Sequence, residues 1–238
     1  MRIDPTGALD GDYYSTEGKY LGSDGIEDDK VYAVNKGGYV STSDGKSSII
    51  IKSEATELKN ADGTSFSHKE FQALAGTLYA EGSNSMSWKE AAGIYSVMEN
   101  RANASDKSTY EIAKGGGIYG WGERDKINSD GASQTKVQNA YRGLIAGISE
   151  SKDYSGGGFY WQGIDFHKHY DGMHAYESFY KVGFKFTSTT HDIWKLGNQQ
   201  SGKSGWDYKY QSTGVEGKTT FMKLTNEWIK ANGYTKSW

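Results

Sequence analysis

The chain contains no cysteine in its 238 residues, which excludes disulfides, zinc–thiolate sites and a cysteine nucleophile. The same absence fits a protein that has to work in either redox compartment. No run of about 18 apolar residues occurs, so no membrane-spanning helix is expected. The opening "MRIDPTGALD" carries no apolar signal core, and export is therefore expected through a carrier or another signal-peptide-independent route. Positive charge is not in excess either. The formal net charge is −3, whereas a nucleic-acid binder normally presents a basic face. Proline occurs once. The GxSxG, P-loop and dinucleotide fingerprints are missing: "GGGIYGWG" at 115–122 comes after no hydrophobic strand and lacks the Lys and Ser/Thr that a phosphate loop needs.

Aromatic residues and glycine are abundant instead. They include 18 Tyr, 7 Trp and 32 Gly, with 14% of the chain aromatic. Rings with polar edges suit stacking on sugars, and glycine lets loops approach a ligand closely. Surface tyrosines and ordinary turns account for the same totals. The length accommodates one good-sized domain, or a domain with a small attachment.

Residues 1–62 are polar and turn-rich, with short β-branched and aromatic runs between Asp-Gly pairs. They read as a lead-in segment with one or two hairpins, or as a strand-rich flap packed onto residues 63–238. Helical texture begins in that second part. Ser67 with Glu70 forms a capping box, and Phe66 with Phe71 has the spacing of a hydrophobic staple. A second box, Ser87 with Glu90, opens a helix whose stripe is Trp88, Ala91, Ala92, Tyr95, Met98 and Ala102. A short helix in "STYEIAKGGG", a longer one in "SQTKVQNAYRGLIAGISES" and a last one in "NEWIKANG" come next, with strand-like runs "FKFTSTT", "YKYQST" and "TTFMKL" before the last. This order predicts an α+β fold dominated by helices, with small β hairpins in its N-terminal and C-terminal parts.

Phe71, Leu74, Ala75 and Leu78 form one apolar stripe, and the next position on it is Glu81. An acid in an apolar wall holds its proton more tightly and can give it to a leaving group. A frayed last turn, with Glu81 solvated and Gly82 as the stop, is the competing reading. A second cluster is "DFHKHYDGMH", containing Asp165, His167, His169, Asp171 and His174. His-x-His on a strand places both rings on one face, so His167, His169 and His174 could serve a metal-dependent amidase; equally, they could line a polar groove. A third group combines Tyr119 and Trp121 with Tyr160, Trp161 and Gln162. This set suits a cleft that stacks on sugars and hydrogen-bonds their acetamido groups, or else core packing. Asp165 is a candidate second carboxylate.

The segment "LAGTLYAEGSNSMSWKEAAGIYSVMENRA" at 74–102 resembles the opening of the spore-cortex-lytic type of bacterial cell-wall hydrolase. The likeness lies in a helix ending in "YAEG", a short loop, and a second helix ending in a VxxNR pattern, here Val97, Asn100 and Arg101. It implies a lysozyme-like catalytic domain that cuts peptidoglycan glycan strands, as a muramidase or a lytic transglycosylase. Glu81 is then the catalytic acid, and Asn100 and Arg101 brace the helix pair. "GKTTFMKL" at 217–224 is similar to a segment near the end of such domains, which implies substrate contacts at Thr219 and Thr220. No metal or other cofactor is expected on this reading. Residues 2–25 resemble the junction at which rearrangement-hotspot (Rhs) polymorphic toxins pass into a variable toxin tip. That likeness implies an antibacterial effector acting in the periplasm of a target bacterium, with an immunity protein in the producer. Nucleic acid and membrane are not expected partners. The rival functions are the metal-dependent amidase and a non-catalytic wall-binding module.

Overall fold

The computed structural model describes residues 10–41, 48–115, 117–163 and 179–235. Both capping signals open helices. Ser67 accepts the backbone N–H of Glu70 (3.2 Å) while the Glu70 carboxylate takes the N–H of Ser67 (3.2 Å), which starts helix α1, His68–Glu81. Phe66 and Phe71 are both fully buried in the main core beside this start. Helix α2, Trp88–Asn103, begins with Ser87 accepting the N–H of Glu90 (3.1 Å). Its box is only half closed, because the Glu90 carboxylate turns inward to other donors. Helices α3 (Thr109–Lys114), α4 (Gln134–Ser149) and α5 (Asn226–Ala231) are capped by Ser108, Ser133 and Thr225.

The apolar stripes meet as their spacing requires. Leu74 and Leu78 of α1, Ile94 and Met98 of α2, and Leu144 and Ile145 of α4 lie in one core. Helix α2 packs chiefly against α4. Helix α1 packs against α4 and two short turns, Tyr119–Trp121 and Arg124–Asn128. Among the described residues, no helix is long and apolar enough to cross a membrane.

The strands correct the expected fold class. Among the described residues, helix makes up 36% and strand 23%, in three sheets, so the structure is mixed α/β and not a helix-dominated, lysozyme-like domain. The N-terminal part forms a four-stranded sheet of order β2-β1-β3-β6 from Tyr20–Glu27, Asp10–Ser15, Val31–Val34 and Ala55–Glu57. Its β1 and β3 run parallel, a pairing that hairpin signals cannot foretell because it joins strands that are not neighbours in sequence. Strands β4 (Tyr39–Ser41) and β5 (Ser48–Ile50) form a separate pair. The C-terminal sheet has the order β7-β10-β9-β8, from Tyr160–Gln162, Thr219–Leu224, Tyr210–Glu216 and Phe184–Lys185. Of the strand-like run "FKFTSTT", only its start is strand.

The N-terminal sheet shares the helical core: Tyr14, Val31, Ala33 and Leu58 are buried in the same cluster as Phe71 and Leu144. The Tyr14 ring stacks on Tyr141 of α4 (centroids 5.0 Å apart) and tilts against Phe71 of α1 (5.0 Å). Beside it, Asp12 pairs with Nδ1 of His68 at the start of α1. Asp12 also accepts the hydroxyl of Tyr20 (2.7 Å), and Tyr14 Oη lies 3.2 Å from Nε2 of His68. The C-terminal sheet leans on α2, with the Phe221 ring filling the space beside Gly93.

Candidate functional site

Helix α1 stays regular through Glu81, so this residue keeps the register of the fully buried Leu74 and Leu78 and is itself half-buried. Gly82 leaves the helix with φ −71° and ψ 154° while its N–H still reaches the carbonyl of Leu78 (2.9 Å). Met86 packs closely on this glycine: a Cβ at position 82 would fall 2.0 Å from Sδ of Met86, so a larger residue there would push that side chain aside. The left-handed helix stop expected of such a glycine is not used.

Two donors grip the Glu81 carboxyl. The backbone N–H of Gly120, in the short turn Tyr119–Trp121, donates to Oε1, and the indole Nε1–H of Trp161, on β7, donates to Oε2 at 3.0 Å. A Cβ at position 120 would lie 2.7 Å from Cγ of Glu81 and 2.8 Å from the carbonyl oxygen of Thr77. Only glycine lets this backbone come so near the acid. The two bonds set the plane of the carboxyl. An oxygen has two acceptor directions, so each retains one for a substrate proton.

Arg101 supports this arrangement from α2. Its Nε donates to the carbonyl of Phe159 (2.6 Å), and its guanidinium lies 5.3 Å from the ring of Tyr160 and 5.2 Å from that of Trp161. Burial lowers the Arg101 pKa from its ordinary value, while Tyr160 and the charge of Glu81 push the other way. Asn100, one position earlier, donates to the carbonyl of Gly158 (2.9 Å) and to Asp153 (3.1 Å). The Asn-Arg pair thus braces the segment leading into β7, and through it the indole donor.

No family model, curated protein or solved structure matches this chain. The chemistry of the site itself carries its interpretation.

Of the residues singled out in sequence, Trp161 meets Glu81 directly. Trp121 stands one position after the Gly120 donor, half-buried, with Arg124 stacked over its ring (4.6 Å) and Tyr110 against its edge (5.2 Å between centroids). Tyr119, 77% exposed, is free to meet a ligand. Gln162 does not share the side of the sheet that Trp161 occupies, because consecutive strand residues point to opposite faces. Gln162 pairs in register with Thr220, and Trp161 with Phe221, the ring packed on α2. Thr219 faces α2 as well and gives its hydroxyl to Glu90 (2.9 Å). It braces the fold instead of facing solvent. Asp165, His167, His169, Asp171 and His174 lie outside the described residues. Among those described, no three His, Asp or Glu side chains gather where they could hold a metal ion.

Sequence reasoning passed over Gly120 and gave Arg101 only a bracing role between the helices. The signal for Gly120 was the alternation of glycine and aromatics in "GIYGWG", which marks a backbone that something approaches closely.

Thr220 is fully buried and its hydroxyl has no hydrogen-bond partner. Burying an unpaired hydroxyl costs roughly 1–3 kcal/mol, and valine keeps the shape. Thr220→Val is expected to raise stability by about 1 kcal/mol in thermal unfolding with activity unchanged. A fall in activity without loss of stability would restore Thr220 as a substrate contact.

Proposed function

We propose that this protein is a peptidoglycan hydrolase that cleaves the glycan strand, as a muramidase or a lytic transglycosylase, with Glu81 as general acid and then base. The observation that carries the reading is the Glu81 carboxyl itself, gripped by the Gly120 N–H and the Trp161 indole at the junction of α1, an aromatic glycine loop and β7. A proton-transfer group has to be held within hydrogen-bond reach of the atom it serves, and rings beside it supply faces for sugar. Glu81 gives its proton to the glycosidic oxygen as the bond from C1 breaks. The oxocarbenium-like centre is then captured by water or by the sugar's own hydroxyl, and Glu81 takes back the proton that this nucleophile loses. The delivered-effector setting belongs to the same proposal: action in a target's periplasm and a cognate immunity protein rest on the likeness of residues 2–25 to a toxin junction.

Purified sacculi incubated with the protein and analysed by mass spectrometry test the proposal. Reducing or anhydro muramic ends are the expected products, absent with Glu81→Gln. Freed stem peptides with intact glycan would overturn the reading in favour of an amidase, and unchanged sacculi would leave a wall-binding module.

A further inference from the structure

Glu90 is completely buried on α2, and no step of the proposed reaction uses it. Its carboxylate accepts three hydrogen bonds from neutral donors: the backbone N–H of Ser83 (2.9 Å), the hydroxyl of Ser83 (3.0 Å) and the hydroxyl of Thr219 (2.9 Å). The N–H of Ser83 belongs to the peptide unit between Gly82 and Ser83, just beyond Glu81. On the other side of that unit, the carbonyl of Gly82 accepts Nζ of Lys136 on α4 (2.9 Å). The link between the end of α1 and the next loop is thus clamped from both sides, by the Glu90 carboxyl at its N–H and the Lys136 ammonium at its oxygen. Burial lowers the Lys136 pKa from its ordinary value, with Glu90 pushing the other way.

Thr219 is the first residue of β10, and two positions on Phe221 pairs with Trp161 on β7. One buried carboxylate therefore ties the peptide that leaves Glu81 to the strand pair that carries the indole donor of Glu81. A glutamine in the same place could keep the Ser83 N–H and the Thr219 hydroxyl on its one oxygen and give its NH2 to the Ser83 hydroxyl, which can turn to accept, so it takes an apolar side chain to strand all three donors. A hydrogen-bonded cap at the start of α2 could have been made by returning the carboxylate to Ser87, as the capping-box pattern allows. The interior donors take it instead.

We infer that Glu90 is a positioning residue for the candidate active site, holding Glu81 and Trp161 at their mutual distance; this rests on Glu81 being the catalytic acid. Misplacement by about 1 Å costs on the order of a hundredfold in rate. Glu90→Leu is therefore expected to lower kcat on soluble, peptide-free glycan strands by roughly ten- to a hundredfold with KM held within about twofold.

A second readout needs no turnover. The indole N–H resonance of Trp161, identified as the signal that Trp161→Phe removes, should shift in Glu90→Leu at a temperature well below melting. Thr219→Val, which removes a single donor, should move the same resonance less, and it decides the matter if Glu90→Leu does not fold. A lower melting temperature with the resonance and the ratio of kcat to KM both unchanged would make Glu90 a purely structural group and overturn the inference. If the wild-type protein cuts no glycan at all, the functional reading fails, while the resonance still shows whether Glu90 sets the Glu81–Trp161 contact.

Discussion

Glu81→Gln is expected to lower the rate of glycan cleavage by at least about two orders of magnitude, the usual size of a general-acid contribution. Two effects act together. Glutamine has no proton to give at the glycosidic oxygen and none to take back. It also offers one acceptor where Glu81 offers two, so its NH2 group must face either the Gly120 N–H or the Trp161 indole. The lost hydrogen bond costs about 1 kcal/mol of stability, too little to unfold the domain, so the variant should be folded and inactive. Glu81→Asp separates the two effects. It keeps the acid but draws the carboxyl back by one methylene, out of reach of at least one donor. It is expected to fall between wild type and Glu81→Gln when release of muramic-ended products is monitored. A rate for Glu81→Gln close to wild type would remove Glu81 from the chemistry.

Tyr14→Ala is expected to cost about 3–5 kcal/mol, the range for deleting a large buried ring. Tyr14 is 2% exposed, and its ring fills the space between Phe71 and Tyr141. Burial also pushes its hydroxyl pKa well above the ordinary value, so the group stays neutral beside His68. Removing the ring opens a cavity where β1, α1 and α4 meet, and strips a partner from the buried Asp12–His68 pair. Against a total stability of about 5–15 kcal/mol, that is a large fraction. The melting temperature should fall by about 10 °C in a domain of this size. Tyr119→Ala is the control: its side chain is 77% exposed, and its stability should stay within about 0.5 kcal/mol of wild type. A cost below about 1 kcal/mol for Tyr14→Ala would mean that the N-terminal sheet is not part of the cooperative core.

The helices could be read from the chain because their signals are local. A capping box spans four residues, and an apolar stripe kept at helical spacing over the length of α1 or α4 rarely arises without a helix. The same reasoning put Glu81 on the core-facing stripe, and the helix runs straight through it. The sheets were less legible. Strands of two to eight residues carry little periodicity, and the parallel pairs β1–β3 and β8–β9 have no turn to announce them. The expectation of a helix-dominated fold rests on long helical signals outweighing short strand-like runs such as "YKYQST" and "TTFMKL", which pair with distant strands into a sheet. Trp161 and Gln162 are neighbours in sequence, and the strand turns their side chains to opposite faces, which depends on strand geometry and not on residue type.

By itself, the sequence determined where the helices begin, which residues line them and that an acid ends the first, because propensity, capping and period act over a few positions. Only the tertiary structure decided what holds that acid. The Gly120 N–H comes from 39 positions away and the Trp161 indole from 80, and the buried Glu90 joins the loop after Glu81 to a strand residue 129 positions beyond Glu90 itself. Hydrogen bonds of this kind depend on where packing brings distant segments together, and no local pattern of residues encodes that distance.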